Sequence, residues 1–431
     1  SSTGQNLRVV LNAAPTATPP VPVGATFTDG DINGAAAEIS GGAYTNSFDG
    51  TTSTRLLNIN ATTDTLTLQN PPNDGTQVVA APLGVDVTGN VAFDIDARNN
   101  RGLAVMTVGG VQGLYNIAIP DSTATLPTAA AASLVGALNV PNPVIGMVLI
   151  QPTAPQAIAL DGNTAGSQRL LKFGIRNPNA ATATAISGLP AGERLLSIDY
   201  RPSNGKLYGL SSAGKVFTIN PDTGAATLAS TLSVAAEIVA GLTAGKNYAI
   251  DFNPLADALR IVSSGDGDGV SKNYRVGGAN LESTGTTVTD TNLTLAGVGT
   301  GFGIAQIAYS NSFANPAPTA TRMFDIDADN NRLLQQVPPN DGTLTNIGTF
   351  STAAFNDYGG FDISGGDNGM VLMANRVGAT GAFSLFTSAL AVGPSPATTV
   401  LVSPAGVSTG TNEIGTGATA STDIRALTVK Y

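Results

Sequence analysis

Short runs of apolar residues, each closed by a turn signal, recur along the chain. The clearest lie between Glu193 and Gly224. Leu195–Tyr200, Lys206–Leu210 and Lys215–Asn220 predict three strands. Pro202-Ser203-Asn204-Gly205 predicts the hairpin between the first two, with Pro fixing φ early and Asn-Gly supplying positive φ. Ser212-Ala213-Gly214 makes the next turn, and Pro221-Asp222-Thr223-Gly224 leads out. Three or four antiparallel strands in about 40 residues is the size of one β-propeller blade. A second version, Tyr248 to Val262, repeats strand, Asn-Pro turn and strand in step. Ala157–Leu160 and Arg169–Ile175 also read as strands, and Ala129–Leu138 as a short helix or a packed apolar loop. The last run, Asp423 to Tyr431, is an isolated strand. Ile424, Ala426 and Thr428 fall on one face, Leu427 and Val429 on the other.

An internal repeat orders these units. Ala43-Tyr44-Thr45-Asn46-Ser47-Phe48 returns as Ala308-Tyr309-Ser310-Asn311-Ser312-Phe313. Leu56-Leu57-Asn58-Ile59-Asn60 returns as Met323-Phe324-Asp325-Ile326-Asp327. Pro71 to Thr76 returns unchanged as Pro338 to Thr343, and Phe93-Asp94-Ile95 as Phe361-Asp362-Ile363. Ordered matches of this kind indicate duplication. Residues 1–188 read as a first copy lacking its start, 189–410 as a full copy, and 411–431 as a closing strand of one continuous propeller. The expected fold is all-β, a propeller of about seven or eight blades with few or no helices. Ser1 to Val10 match the middle of the unit at Ser263 to Val276, so the first blade is short of strands. Two closures are open. The tail (Ile424, Leu427, Val429) completes the blade of Leu7 and Val9 within the chain, which is the favoured expectation, or the ends exchange strands between subunits.

These motifs, from Leu196-Ser-Ile-Asp-Tyr-Arg-Pro-Ser-Asn-Gly to Pro71-Pro-Asn-Asp-Gly-Thr, resemble an uncharacterised bacterial family, a domain of unknown function found in exported proteins. The resemblance covers most of the chain, about one and a half to two copies. It implies export and a propeller-like fold, and it supplies no catalytic residues.

Composition narrows the chemistry. Charged residues are 12% of the chain, with 51 Gly and 25 Pro, so solvated surfaces are built from Thr, Ser, Asn and Gly rather than from ions. The net charge of −10, with 20 scattered Lys and Arg, argues against nucleic acid, which demands clustered cations. Without Cys or His, disulfides, His-dependent nucleophilic triads and the usual zinc sites are excluded. The most apolar segment, Pro143 to Leu160, is broken by Pro152 and Pro155, so no membrane span is expected. Ser1 reads as the start of a mature or processed chain, in keeping with an extracellular or cell-surface location.

Carboxylates remain. Asp29-Gly30-Asp31-Ile32-Asn33-Gly34 opens like a calcium loop, with oxygen ligands at alternate positions and Gly for the bend. Its twelfth position is Ser40 rather than a bidentate Glu, and an acidic, Gly-containing turn is the favoured reading. Asp266 and Asp268 lie in a flexible acidic loop that could bind calcium weakly. Asp325, Asp327 and Asp329 read as a strand edge entering a turn. No pair of carboxylates is singled out for glycoside hydrolysis. The expected function is therefore non-enzymatic: an exported structural protein that self-assembles into a layer, sheath or filament, as a homo-oligomer or polymer with calcium as the candidate ion. The alternatives are an extracellular module binding glycan or protein and, last, a carboxylate-dependent glycan hydrolase or lyase.

Overall fold

A computed structural model describes residues 4–10, 21–34, 38–47, 51, 54–97, 100–120, 130–140, 142–149, 156–175, 177–295, 302–314, 318–350, 358–364, 370–376, 382–388, 399–400, 402–404, 413–421 and 423–430. Ser1, Arg98 and most of the Pro15–Pro22 run lie outside these residues. The protein is a mostly β propeller-type structure. Among the described residues are seven sheets of four or more strands and one two-stranded sheet. The chain divides into two compact units, 1–47 with 54–151, and 48–53 with 152–431.

The second unit holds five of the sheets. Each begins with an inner strand and continues outward through antiparallel neighbours, and in the sheet that starts at Ile304–Tyr309 the short strands Thr294–Leu295 and Thr399–Val400 add parallel to Thr343–Phe350. The inner strands are Leu195–Tyr200, Tyr248–Asn253, Ile304–Tyr309, Gly360–Ser364 and Ile424–Lys430. The strands of the opening motif form at 195–200, 207–211 and 215–219, as their pattern predicts, and Ala226–Thr231 completes that sheet. Inner strands are buried on both faces; all six residues of Leu195–Tyr200 are buried.

Apolar packing closes these five sheets into a ring. Leu196, Tyr208 and Leu210 pack with Ile250 and Phe252. Ala249 and Val262 pack with Ile304 and Met323. Ala308 and Phe324 meet Phe361 and Ile363. Leu372 and Leu385 meet Ala157, Leu171 and Leu427. Leu160, Leu170 and Ala426 return to Leu195 and Phe217. Each sheet is thus joined to two neighbours, leaving no open face in the ring.

The last junction corrects the closure expected from sequence. Ile424–Lys430 pairs antiparallel with Gln156–Asp161, with Ala157 opposite Val429 and Ala159 opposite Leu427. It does not pair with Leu7–Val9, whose register partners are Thr28 to Thr26. The physical reason is burial. Ala157-Ile158-Ala159-Leu160 is apolar on both faces and needs cover on both. Leu7-Arg8-Val9 is exposed throughout, so it offers the tail no core to join. The first strands of the ring accordingly lie before residue 188, in the second unit rather than the first.

Gly360 shows how tightly this junction closes. A Cβ there would run into Leu427 Cβ and the Ala426–Leu427 backbone. Gly360→Val is therefore expected to destabilise the ring by about 1–3 kcal/mol or more, read as a lower denaturant midpoint. An unchanged midpoint would mean that the two inner strands are not in contact.

The first unit has two meanders. Gly41–Tyr44, Leu56–Asn60, Thr65–Gln69 and Thr76–Pro82 form one, with Asn33–Gly34 added parallel to Thr76-Gln77. Val87–Asp96, Arg101–Val108, Val111–Ile117 and Ala132–Ala137 form the other. Residues 132–137, read as helix or loop, are thus an edge strand. The repeat is structural as well: Pro72–Asp74 and Pro339–Asp341 are matching single 3₁₀ turns, each followed by a left-handed glycine, Gly75 or Gly342. Helix is sparse. Ala235–Thr243 is the longest among the described residues, and its Ile238 is buried in the ring's core. Among the described residues no helix is long and apolar enough to cross a membrane.

Candidate functional site

Two sets of polar residues converge in the second unit, one inside the ring and one at its rim. Inside, Asp199, Asp251 and Asp362 occupy matching positions on three inner strands, in Ile-Asp-Tyr, Ile-Asp-Phe and Phe-Asp-Ile, and all three are buried. Each reaches across to the neighbouring inner strand. Asp199 accepts the Phe252 N–H at 2.8 Å, Asp251 the Tyr309 N–H at 2.9 Å, and Asp362 the Val429 N–H at 2.6 Å. Thr428 continues the series. Its hydroxyl accepts the Tyr200 N–H at 3.3 Å and donates to Asp199 at 2.8 Å. The third inner strand carries Ala308 at this position. In the first unit Asp94, the repeat counterpart of Asp362, accepts the Leu149 N–H at 2.7 Å.

A carboxylate placed this way satisfies a main-chain donor that an inner strand facing a neighbouring sheet would otherwise leave unpaired. Burial raises the pKa of all three. The charge of Asp362 adds to the rise at Asp199 and that of Asp199 to the rise at Asp251, while at Asp362 burial outweighs its hydrogen bonds and leaves it at about 7. Mutual repulsion and desolvation favour the protonated forms. Each of these acids is thus tied to the main chain of the neighbouring inner strand.

The rim has a different character. A cavity of about 150 Å³ is lined by Asn163, Arg194, Lys246, Tyr248, Tyr358 and Arg425, among others. The positions explain the convergence. Arg194 precedes the Leu195 strand, Lys246 the Tyr248 strand and Tyr358 the Gly360 strand, while Arg425 is the second residue of the closing strand. Four of the five inner strands therefore begin at this end of the ring and bring their leading residues together. Among the described residues three cations line the cavity and no carboxylate does.

Each cation is held differently. The Lys246 ammonium is buried, donating to Asp268 at 2.5 Å and to the Val270 carbonyl at 2.7 Å. Arg425 pairs with Asp423 at 2.6 Å and lies 3.8 Å over the Tyr358 ring. Arg376 packs on the same ring at 5.6 Å and donates to the Tyr358 hydroxyl at 2.9 Å. Arg194 donates from Nε to Asn163 Oδ1 at 2.8 Å and has no acid partner among the described residues. Partial burial and then the charge of Arg425 lower its pKa. Tyr248 also lines the cavity, while its hydroxyl is buried beside Gly241 without a hydrogen-bond partner.

The sites predicted from sequence lie elsewhere. Asp29 is engaged by Arg8, whose Nη2 and Nε each donate at 3.2 Å. The Asn33 amide donates to the Asp31 and Asp74 carbonyls, both at 2.8 Å. The turn is thus tied to its surroundings by protein partners. Asp266 accepts from Ser264 at 2.5 Å, and Asp268 serves as the counter-ion of Lys246. No cluster of three acids suited to a metal is found among the described residues. Chelator is accordingly expected to leave the melting temperature unchanged, and a clear downward shift on adding it would return calcium to the 29–34 turn. Leu7 and Val9 are exposed on the two-stranded sheet, whereas Ile424, Leu427 and Val429 are buried in the ring.

Comparison with solved structures gives distant matches. A structural-genomics protein of unknown function from Bacteroides thetaiotaomicron shares 12% identity at a TM-score of 0.33, over 70% of this chain and 84% of its own. A puromycin hydrolase shares 15% identity at 0.27, over 84% of this chain and 53% of its own. An auxiliary nutrient binding protein from Bacteroides ovatus shares 13% identity at 0.31, over 74% and 63%. The chain thus spans about half the length of the hydrolase and just under two thirds of the nutrient binding protein. No curated protein sequence matches it. One family model does, over residues 1–140 and 169–406.

Proposed function

The chain belongs to the family described as Domain of unknown function (DUF4394), and from that premise we propose that this member is an exported, non-catalytic binding module. Its ligand is a small polar molecule, such as the end of a glycan, taken at the rim of the five-sheet ring. The observation that carries this reading is the cavity between the starts of four inner strands. It is small and polar, and cations and tyrosines from separate sheets converge on it. Concave sites with a few converging polar groups are where folds of this kind take ligands. The buried carboxylates support the non-catalytic part, because each already holds a main-chain N–H.

A glycan and metabolite array with the full chain tests the reading. Saturable binding that is lost on filling the cavity, for instance by Gly245→Trp in a protein whose melting curve shows the ring intact, supports it; Gly245 lines the cavity and a Cβ there meets no atom within 4 Å, while its φ of +92° makes the melting curve a necessary control. Binding unaffected by that change sinks it.

A second reading, self-assembly at the cell surface, draws on the edge strand Ala132–Ala137. Leu134 and Val135 are exposed there, 61% and 51%, with no strand beyond them in the sheet. Apolar open edges favour strand pairing between molecules. Light scattering at rising concentration decides it: a monomer throughout removes this reading, and polymers abolished by Leu134→Lys favour it.

A further inference from the structure

We infer that the rim cavity is an anion site, and that its ligand is an acidic sugar or similar small carboxylate whose carboxyl group docks between Arg194 and Arg425. This inference rests on the binding reading above and names the chemical class of its ligand.

Charge at the cavity is unbalanced. Among the described residues its wall holds three cations and no acid. Two of the cations are neutralised from behind, Lys246 by Asp268 and Arg425 by Asp423. Arg194 is not: its only side-chain bond is Nε to the neutral Asn163 amide. A guanidinium has five donors in a planar fork, so most of this one is unspent. It is also partly buried and close enough to Arg425 to be disfavoured by that charge. Two guanidiniums held together with one carboxylate between them need a further anion to offset the repulsion.

The donors at the cavity suit a carboxylate. Each guanidinium presents a planar fork of N–H groups, and a carboxylate accepts bidentate pairing from such a fork.

Size and rigidity limit the choice. The cavity is small, about 150 Å³, so it receives the acid-bearing end of a ligand whose remainder extends beyond the rim. Arg425 cannot swing away, because its guanidinium is stacked on Tyr358 and tied to Asp423. The geometry therefore presents a preformed clamp, with Arg194 as the arm that completes it on binding.

Titration calorimetry of the full chain with D-glucuronate, D-glucose and inorganic phosphate tests the inference. Glucuronate is expected to bind saturably, more weakly as salt rises, with glucose and phosphate at least about tenfold weaker. Arg194→Ala should weaken glucuronate by about tenfold or more, and Arg194→Lys should restore part of it. Lys172→Ala removes an equal charge from an outer strand, where it pairs with exposed Asp222, and should change nothing. Melting curves of each variant confirm that the ring is intact. Tighter binding of phosphate than of glucuronate overturns the carboxylate assignment. Equal affinity for glucose and glucuronate, insensitive to Arg194→Ala, overturns the anion site and leaves the binding reading standing. Absence of binding by all three overturns the inference, and the binding reading is then decided by the neutral glycans of the array.

Discussion

A chain that stops after Asp423 should lose the ring. The closing strand supplies one of five inner strands, and its Ile424, Leu427 and Val429 are buried in the junction core. Burying side chains of this size contributes about 1.5–3 kcal/mol each, so together they match the whole stability of an ordinary domain, about 5–15 kcal/mol. The strand also pairs along all of Gln156–Asp161 and donates the Val429 N–H to Asp362. Its loss would leave Ala157 to Leu160 uncovered on one edge and Asp199 without the Thr428 hydroxyl. The expected result is an aggregating protein, or one whose melting transition is lost. A synthetic peptide of residues 423–431 added in trans should restore the transition, as the strand needs only its edge. If the truncated chain melts like the full one, the ring is not closed by its tail.

This closure shows which part of the fold was legible in the sequence. The blade unit was, because Asn204-Gly205 and the runs around it carry their own turn chemistry and period. The tail was legible as a strand with two apolar faces. Its partner was not, because pairing is a long-range choice that local pattern does not encode. The signal was nevertheless present: Ala157 to Leu160 is an unbroken apolar run, the mark of a strand covered on both sides, while Leu7-Arg8-Val9 alternates with a charge. The helix Ala235–Thr243 was hidden because Ala and Gly dilute its periodicity to Val234, Ile238 and Leu242.

The rim site was less legible still. Arg194, Lys246 and Arg425 are far apart in sequence and belong to no motif. What unites them is position, each within two residues of the start of an inner strand, and that becomes visible only when the ring brings those starts together. Conversely, two acids of the motifs that stood out in sequence pair with cations. Asp29 serves Arg8 and Asp268 serves Lys246.

The same duplication sets up a pH response opposite to the usual one. In the first unit Asn58 donates to Gln69 Oε1 at 3.1 Å, and Gln69 donates to the Pro72 carbonyl at 2.6 Å. The second copy keeps the glutamine bond, Gln336 to the Pro339 carbonyl at 2.5 Å, but places Asp325 where Asn58 stood. Asp325 is fully buried, and neither its two oxygens nor Gln336 Oε1 has a partner. All are acceptors until Asp325 carries a proton, which then supplies the donor that Asn58 provides in the other copy. Burial pushes this carboxyl up to about 8, with only the nearby Arg260 charge pulling it down. A raised acid binds its proton more tightly folded than unfolded. Its stabilisation is therefore full below about pH 4 and is lost as pH rises towards 8, by about 1.4 kcal/mol per pH unit for one displaced proton. Asp199, Asp251 and Asp362 act in the same direction. Asp257, whose pKa is lowered by Arg201, opposes them only in the acid range. The protein should accordingly melt higher at pH 5 than at pH 8. Asp325→Asn restores the amide of the first copy, so it should raise the melting temperature at pH 8 by several degrees and flatten the profile, with little gain at pH 5. A variant with the wild-type slope would show that Asp325 is ionised in the fold, and that Gln336 finds its donor elsewhere.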